Sequence, residues 1–340
     1  MKYNRIVVLF SLLTVAVGIA STQWGAVYIH WNEMISAISH FIKGEAFDSI
    51  HENIFLTIRI PRTILALLVG ASLAVGGTLM QGLFRNPLVE PGLVGTSSGA
   101  ALGASLYFLF SNFFHDFIPF WTLPASAFLG GLAATSLVTR LSGSKSQTHS
   151  SITHLLLIGI AVNAVCMGGV GIMSFFARDP QARSITFWGL GNLSAANWKI
   201  VSFCASAALL GIAIAFNQAK KLDALQLGEA EAQLLGVKTK RLRFTIILAN
   251  IILVGIATAF VGVISFIGLI VPHILRALGI HRTRPLIITS ALLGGTLLCL
   301  ADLTARLVIA PAELPIGILT ALVGAPVFIY LIRKNNSFFS

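Results

Sequence analysis

The chain has 340 residues, of which 56% are hydrophobic and only 10% charged. A water-soluble domain carries about 25% charged residues, so this balance excludes an ordinary soluble fold. The net charge of +11 would suggest nucleic acid in a soluble protein. Here the basic residues sit at the ends of long apolar runs, so they read as orientation signals and no nucleic-acid partner is expected.

About ten apolar runs of membrane-spanning character follow one another, which predicts an all-α polytopic bundle occupying 1–340 as one domain. The first, Ile6–Ala20, follows Lys2 and Arg5. Small residues near its end would permit cleavage as a signal peptide, but a retained span gives the more coherent charge distribution. A more polar stretch, Tyr28–Asn53, comes next, with Trp24 and Trp31 suited to a membrane interface. Spans are then expected at Ile64–Leu83, Leu93–Phe110, Trp121–Thr139, Leu155–Phe176 and Ile200–Phe216, with a turn at Phe84–Pro91. Four more are expected at Phe244–Ile264, Phe266–Ile280, Leu286–Ile309 and Ile316–Ile332.

With the N-terminus inside, most of the 23 basic residues fall on the cytoplasmic side, and both termini are placed there. Lys43, Arg59, Arg62, Arg178, Arg183, Lys199 and Arg306 stay outside. The block of spans two to five then starts outside and the block seven to ten inside, the arrangement of an inverted repeat. In lipid no hydrophobic drive holds helices together, so small residues mark close packing. Gly95, Gly99 and Gly103, Gly70 with Ala74, Gly168–Gly171 and Gly294 with Gly295 are such places. Pro272, inside the eighth span, must free a carbonyl that some neighbour satisfies.

Between the sixth and seventh spans lies Leu222–Gly236, LDALQLGEAEAQLLG. Asp223, Glu229 and Glu231 alternate with Leu222, Leu225, Leu227, Leu234 and Leu235, and lysines and arginines bracket the whole. This amphipathic pattern predicts a cytoplasmic helix pressed on the bilayer or on a soluble partner. Gly228 should split it into two short helices, and Gly236 should end the second at positive φ.

Catalytic machinery is missing from the sequence. No GxxxxGK[ST] occurs, so no P-loop ATP site is expected, and no HExxH or paired intramembrane carboxylates appear. Asp302, with Arg306 four residues on, reads as a local ion pair. His273 is open to two readings, a pathway residue or a hydrogen bond to backbone freed by Pro272. The cysteines, Cys166, Cys204 and Cys299, are isolated in apolar runs and read as small buried hydrophobes. A stand-alone secondary transporter is the competing class, but it lacks intramembrane acids and leaves Leu222–Gly236 without a use.

Five ordered blocks resemble one family across nearly the whole chain: Arg59-Ile-Pro-Arg62, Gly70–Gly95, Leu227–Gly236, Phe266–Arg276 and Ala312–Phe328. The chain is similar to the permease subunit of type II ABC importers, the iron-siderophore, haem and cobalamin uptake family. The resemblance implies about ten helices per subunit, a homodimer in the bacterial inner membrane, two cytoplasmic ATPase subunits and a periplasmic binding protein. ATP and Mg would sit on the ATPase, with no cofactor or metal on this chain. Leu222–Gly236 would be the coupling helix, and Arg59, Arg62 and Arg306 would receive carboxylates of the binding protein. The competing reading of these arginines is that Arg306 pairs with Asp302 while Arg59 and Arg62 meet lipid headgroups or loop carbonyls. Ser150, Ser151, Ile152 and Thr153 would form a cytoplasmic gate, with a solvated linker as the alternative.

The outer segments Arg178–Trp198 and Leu307–Pro315 look most like the haem branch, although Asn192 stands where that branch often has Ser. Phe175, Phe176, Phe187 and Trp188 with Arg178 and Arg183 would then offer haem aromatic faces and cations for its propionates. An interfacial aromatic belt is the other reading of these residues. A ferric siderophore is the runner-up substrate.

Overall fold

The computed structural model describes residues 2–25, 27–44, 49–111, 120–143 and 151–334. Among them the chain forms fifteen α-helices and no strand. In order these are α1 (Lys2–Gln23), α2 (Trp31–Lys43), α3 (Ile50–Ile54), α4 (Ile60–Phe84), α5 (Thr96–Phe110), α6 (Thr122–Gly143), α7 (Ser151–Phe176) and α8 (Gln181–Gly189). Then come α9 (Trp198–Leu227), α10 (Glu229–Leu234), α11 (Thr239–Asn250), α12 (Ile256–Val261), α13 (Ile267–Ala277), α14 (Thr283–Leu307) and α15 (Ile316–Lys334).

Seven helical runs are long and apolar enough to cross a bilayer. The other three expected spans are shorter: α5 has 15 residues, α13 has 11, and the apolar part of α15 is Ile316–Tyr330. The structure shows why. A 3₁₀ turn at Pro91–Val94 and Gly95 at φ 91° precede α5. Phe266, in the left-handed region at φ 69°, precedes α13. Both helices therefore begin inside the bundle, and Gly268 of α13 lies directly against Gly77, far along α4. Expected spans two and seven also differ in form: α3 runs into α4 through a π-turn at Phe55–Arg59, and α11 into α12 through one at Ile251–Gly255.

α4 is the buried axis, packed on α14, α9 and α13. Its apolar residues do not define one face, because nearly every face is covered. Small residues let the neighbours close in. Gly70 and Gly294 meet carbonyl to Cα, so that a Cβ on either would strike the other's backbone. Gly99 meets Gly130 in the same way between α5 and α6, and Gly103 meets Ser126. Gly168 and Gly171 on α7 have open space beside them among the described residues.

Backbone freed by irregularity has to be satisfied where no water reaches it. Gln81 of α4 does this for Pro272, donating from Nε2 to the Gly268 and Leu269 carbonyls at 3.3 and 3.1 Å. Its Oε1 accepts from Arg276 of α13. The backbone role, one of the two readings of His273, is thus taken by Gln81: His273 is buried, and among the described residues its Nε2 has no hydrogen-bond partner. Glu90 accepts the Phe266 N–H at 3.1 Å and so caps the start of α13, while Asn250 donates to the Pro91 carbonyl at 3.1 Å.

The contrast between glycines gives a direct check. Gly70→Val forces apart the α4–α14 contact and should cost about 1–3 kcal/mol or more, lowering the unfolding temperature of the detergent-solubilised chain. Gly168→Ala should leave that temperature unchanged. Equal effects at both positions would contradict the packing described.

Candidate functional site

At one end of the bundle, α9 runs on as a 30-residue helix to Leu227. The Leu222–Gly236 segment is therefore not two short helices; its first part is the end of a long span. Leu222 and Leu225 are buried in the core, and Asp223 accepts the Thr283 N–H at 2.8 Å, fixing the start of α14. Gly228, at φ 142°, breaks the helix as expected, and Gly236 follows α10 at φ 79°. Between them α10 buries Ala232 inward.

The opposite face of this corner is bare. Leu227, Leu234 and Leu235 are 69%, 89% and 65% exposed. Glu231 is exposed beside them, and Glu229 meets Arg243 at 3.5 Å. Buried leucines at 222 and 225 anchor the corner, and the leucines and acids beyond Gly228 are presented outward. A six-residue helix held by the buried Leu222 and Leu225, with an apolar tip flanked by two acids, is suited to docking in a groove of another protein.

Near the far end of α4, two carboxylates pair with two arginines, and a third arginine shares the Trp24 carbonyl with one of them. Asp302, fully buried, receives Arg62 Nη2 and Nε at 2.8 and 3.0 Å and Arg306 Nε at 3.0 Å. Arg62 Nη1 reaches Glu313 at 2.9 Å. Arg306 also donates to Ser21 Oγ at 2.7 Å, and Arg59 donates to the Trp24 and Val27 carbonyls at 2.7 and 3.0 Å. All three arginines are buried. Arg306 thus pairs with Asp302 and Arg59 binds loop carbonyls, as the internal reading of these residues expected. The link from Arg62 to Asp302, 240 residues away, and the part played by Glu313 were not legible in the sequence.

The expected substrate-facing residues divide into two groups. Phe175 and Phe176 end α7, 83% and 67% exposed, with their rings edge to face. Arg178 follows, also exposed. On α8, the exposed Arg183 lies 5.6 Å from the Phe187 ring centroid, a cation–π contact. Phe187 and Trp188 line a cleft of about 510 Å³ together with Tyr107, Phe108, Phe120 and Phe260. Phe175 and Phe176 are not among its walls. Ser150 lies outside the described residues; Ser151, Ile152 and Thr153 open α7, with side chains also outside that description. Among the described residues no cluster of His, Cys, Asp and Glu is arranged to hold a metal.

Comparison with known proteins agrees with this architecture. The sequence matches the FecCD transport family over residues 12–334. It is 42% identical over 284 residues to the hemin transport system permease protein HmuU of Yersinia pestis, covering 84% of each chain. It is 40% identical over 281 residues to the vitamin B12 import system permease protein BtuC of Yersinia enterocolitica, covering 82% of each. A solved structure described as an inward-facing conformation of a metal-chelate type ABC transporter superposes with a TM-score of 0.85 at 32% identity. That superposition spans 97% of this chain and 99% of the other. The chain therefore belongs to the FecCD transport family and is a multi-pass, membrane-spanning permease subunit of an ABC importer.

Proposed function

We propose that two copies of this chain form the pathway of an importer carrying haem from periplasm to cytoplasm. Two ATP-binding cassette subunits would dock on α10, and a periplasmic binding protein would deliver the substrate. ATP and its Mg²⁺ would bind the partner subunits, so energy would reach this chain mechanically. The exposed leucine tip of α10 carries the reading: it is apolar surface beyond a span, braced by the buried Leu222 and Leu225. Both termini and α10 share the cytoplasmic side in this orientation, where most of the basic residues gather.

Each exposed leucine buried in a groove would contribute roughly 1.5–3 kcal/mol. Leu234→Asp should therefore weaken ATPase capture about tenfold or more and lower substrate-stimulated ATP hydrolysis with it. Charge reversal at Glu229 and Glu231 should act in the same direction. Wild-type assembly and stimulation in these variants would remove α10 from the coupling surface.

Haem as the cargo is supported by the 42% identity to a hemin permease and by Arg183 lying over Phe187, a pairing of cation and aromatic face suited to a porphyrin carboxylate. The 40% identity to a vitamin B12 permease supports cobalamin as the second reading, and a ferric siderophore is the third. Spectral titration of the assembled complex and its binding protein decides. A haem Soret shift that cobalamin and ferric siderophores do not compete away is the expected result; competition by either one at equal concentration would reassign the cargo.

The binding protein is proposed to dock over the outer arginine cluster. Asp302 is sealed, whereas the Glu313 side chain is 40% exposed. An incoming carboxylate would replace Glu313 on Arg62 and leave Asp302 in place. Reversing Arg62 or Arg306 would break the buried pairs and disturb folding, so Glu313→Gln is the cleaner probe. It should tighten capture of the binding protein several-fold and steepen its salt dependence. Capture that ignores the substitution at both low and moderate salt would exclude this docking site.

A further inference from the structure

α2 is amphipathic in a way that the transport reading does not use. At about 100° per residue, Trp31, Ile35, Ile38 and Ile42 share a stripe roughly 60° wide. They are 53%, 65%, 46% and 76% exposed. Met34 and Ala37, on the neighbouring flank, are buried against Phe55 and Leu56. Asn32, Ser36, Ser39 and Lys43 lie on the other side of the helix. The helix therefore has a packed flank, a polar flank and a bare apolar stripe.

Its position is fixed by the chain on both sides. α1 ends at Gln23, whose carbonyl accepts the Ile29 N–H at 3.2 Å, so α2 begins beside the end of a membrane span. At its other end Gly44 turns the chain back toward α3, which continues into the long α4 helix. Two hydrogen bonds tie α2 to α3: His51 Nδ1 lies 2.6 Å from Glu33, and His40 Nδ1 lies 3.1 Å from Glu52. The His51 and His30 hydrogen bonds hold the Glu33 carboxyl below its usual range. α2 is thus held down at the level where α1 leaves the bilayer and the α3–α4 helix enters it.

The span that precedes the bare stripe in the chain is itself apolar and exposed along one side. Leu12, Val15 and Ile19 of α1 are exposed along a span that packs on α14 and α4 with its other side. Trp24 and Tyr28, 49% and 46% exposed, carry this surface up to Trp31. Tryptophan and tyrosine favour the headgroup level, where the ring is buried and its polar atom hydrated. An amphipathic helix tethered at that level gains by sinking its apolar face into the headgroup–acyl boundary.

We propose that α2 is an interfacial helix, lying in the boundary of the leaflet where α1 ends, with phospholipid covering Trp31, Ile35, Ile38 and Ile42. It anchors the α1–α4 corner from which Arg59 and Arg62 project, and so sets the height of the arginine cluster relative to the lipid.

Spin labels on single cysteines test this in nanodiscs of defined phospholipid. Cys166, Cys204 and Cys299 are free but buried, so labels go to Ile35→Cys, Ile38→Cys and Ile42→Cys, and to Asn32→Cys, Ser36→Cys and Ser39→Cys as the polar comparison. The first three should collide with oxygen several-fold more readily than with a water-soluble nickel chelate, and the last three the reverse. A second measurement leaves the stripe's isoleucines intact: phospholipids brominated near the glycerol should quench wild-type fluorescence more than that of Trp31→Phe. Chelate access on every face would overturn the proposal. So would labels at 35, 38 and 42 shielded from both reagents, since that would mean protein, including a second copy, covers the stripe.

Discussion

One carboxylate organises the end of this molecule that lies away from α10. Asp302 is completely buried on α14 and is shared by Arg62 of α4 and Arg306 one turn along its own helix. Buried charge is tolerated only when it is paired and hydrogen-bonded on every side. The extra bonds from Arg306 to Ser21, and from Arg59 to the carbonyls of Trp24 and Val27, extend that requirement to the end of α1. Three elements distant in sequence are thereby held at one point, and Gly70 against Gly294 lets their backbones approach closely enough.

The other half follows a different logic, that of satisfied backbone. α13 starts within the bundle and carries Pro272, so it exposes an N–H at one end and carbonyls along its side. Glu90 answers the N–H and Gln81 answers two of the carbonyls at once, while Arg276 holds Gln81 in place by donating to its Oε1. An importer has to move its helices against one another, and short helices joined by satisfied irregular backbone allow such movement without orphaned polar groups. The π-turns at Phe55–Arg59 and Ile251–Gly255 are of the same kind, since each inserts extra length into a continuous helix and turns the side chains that follow.

Much of this was legible in the sequence, for physical reasons. Helix-length apolar runs and glycine spacing gave the bundle, Gly228 and Gly236 gave the ends of α10, and Asp302 with Arg306 gave one ion pair. What stayed hidden depends on contacts between distant segments. Gln81 reads as one polar residue in an apolar run, and nothing local says that it faces Pro272 from another helix. Arg62 and Asp302 meet only because α4 and α14 cross. Leu222 and Leu225 belong to the same amphipathic string as Leu234, yet burial divides them, because α9 continues past Phe216, where the sixth span was expected to end, as far as Leu227. Hydropathy likewise counts α13 as a span and cannot register that its helix begins at mid-bundle.

In the proposed division of labour this chain forms the path and a separate ATPase, docked on α10, supplies the work. Uptake into proteoliposomes tests it most directly, with the chain reconstituted alone or with its ATPase and binding protein. Accumulation of haem only in the complete assembly, and only with ATP supplied on the α10 side, is the predicted result. Accumulation by the chain alone, driven by an ion or proton gradient, would contradict it.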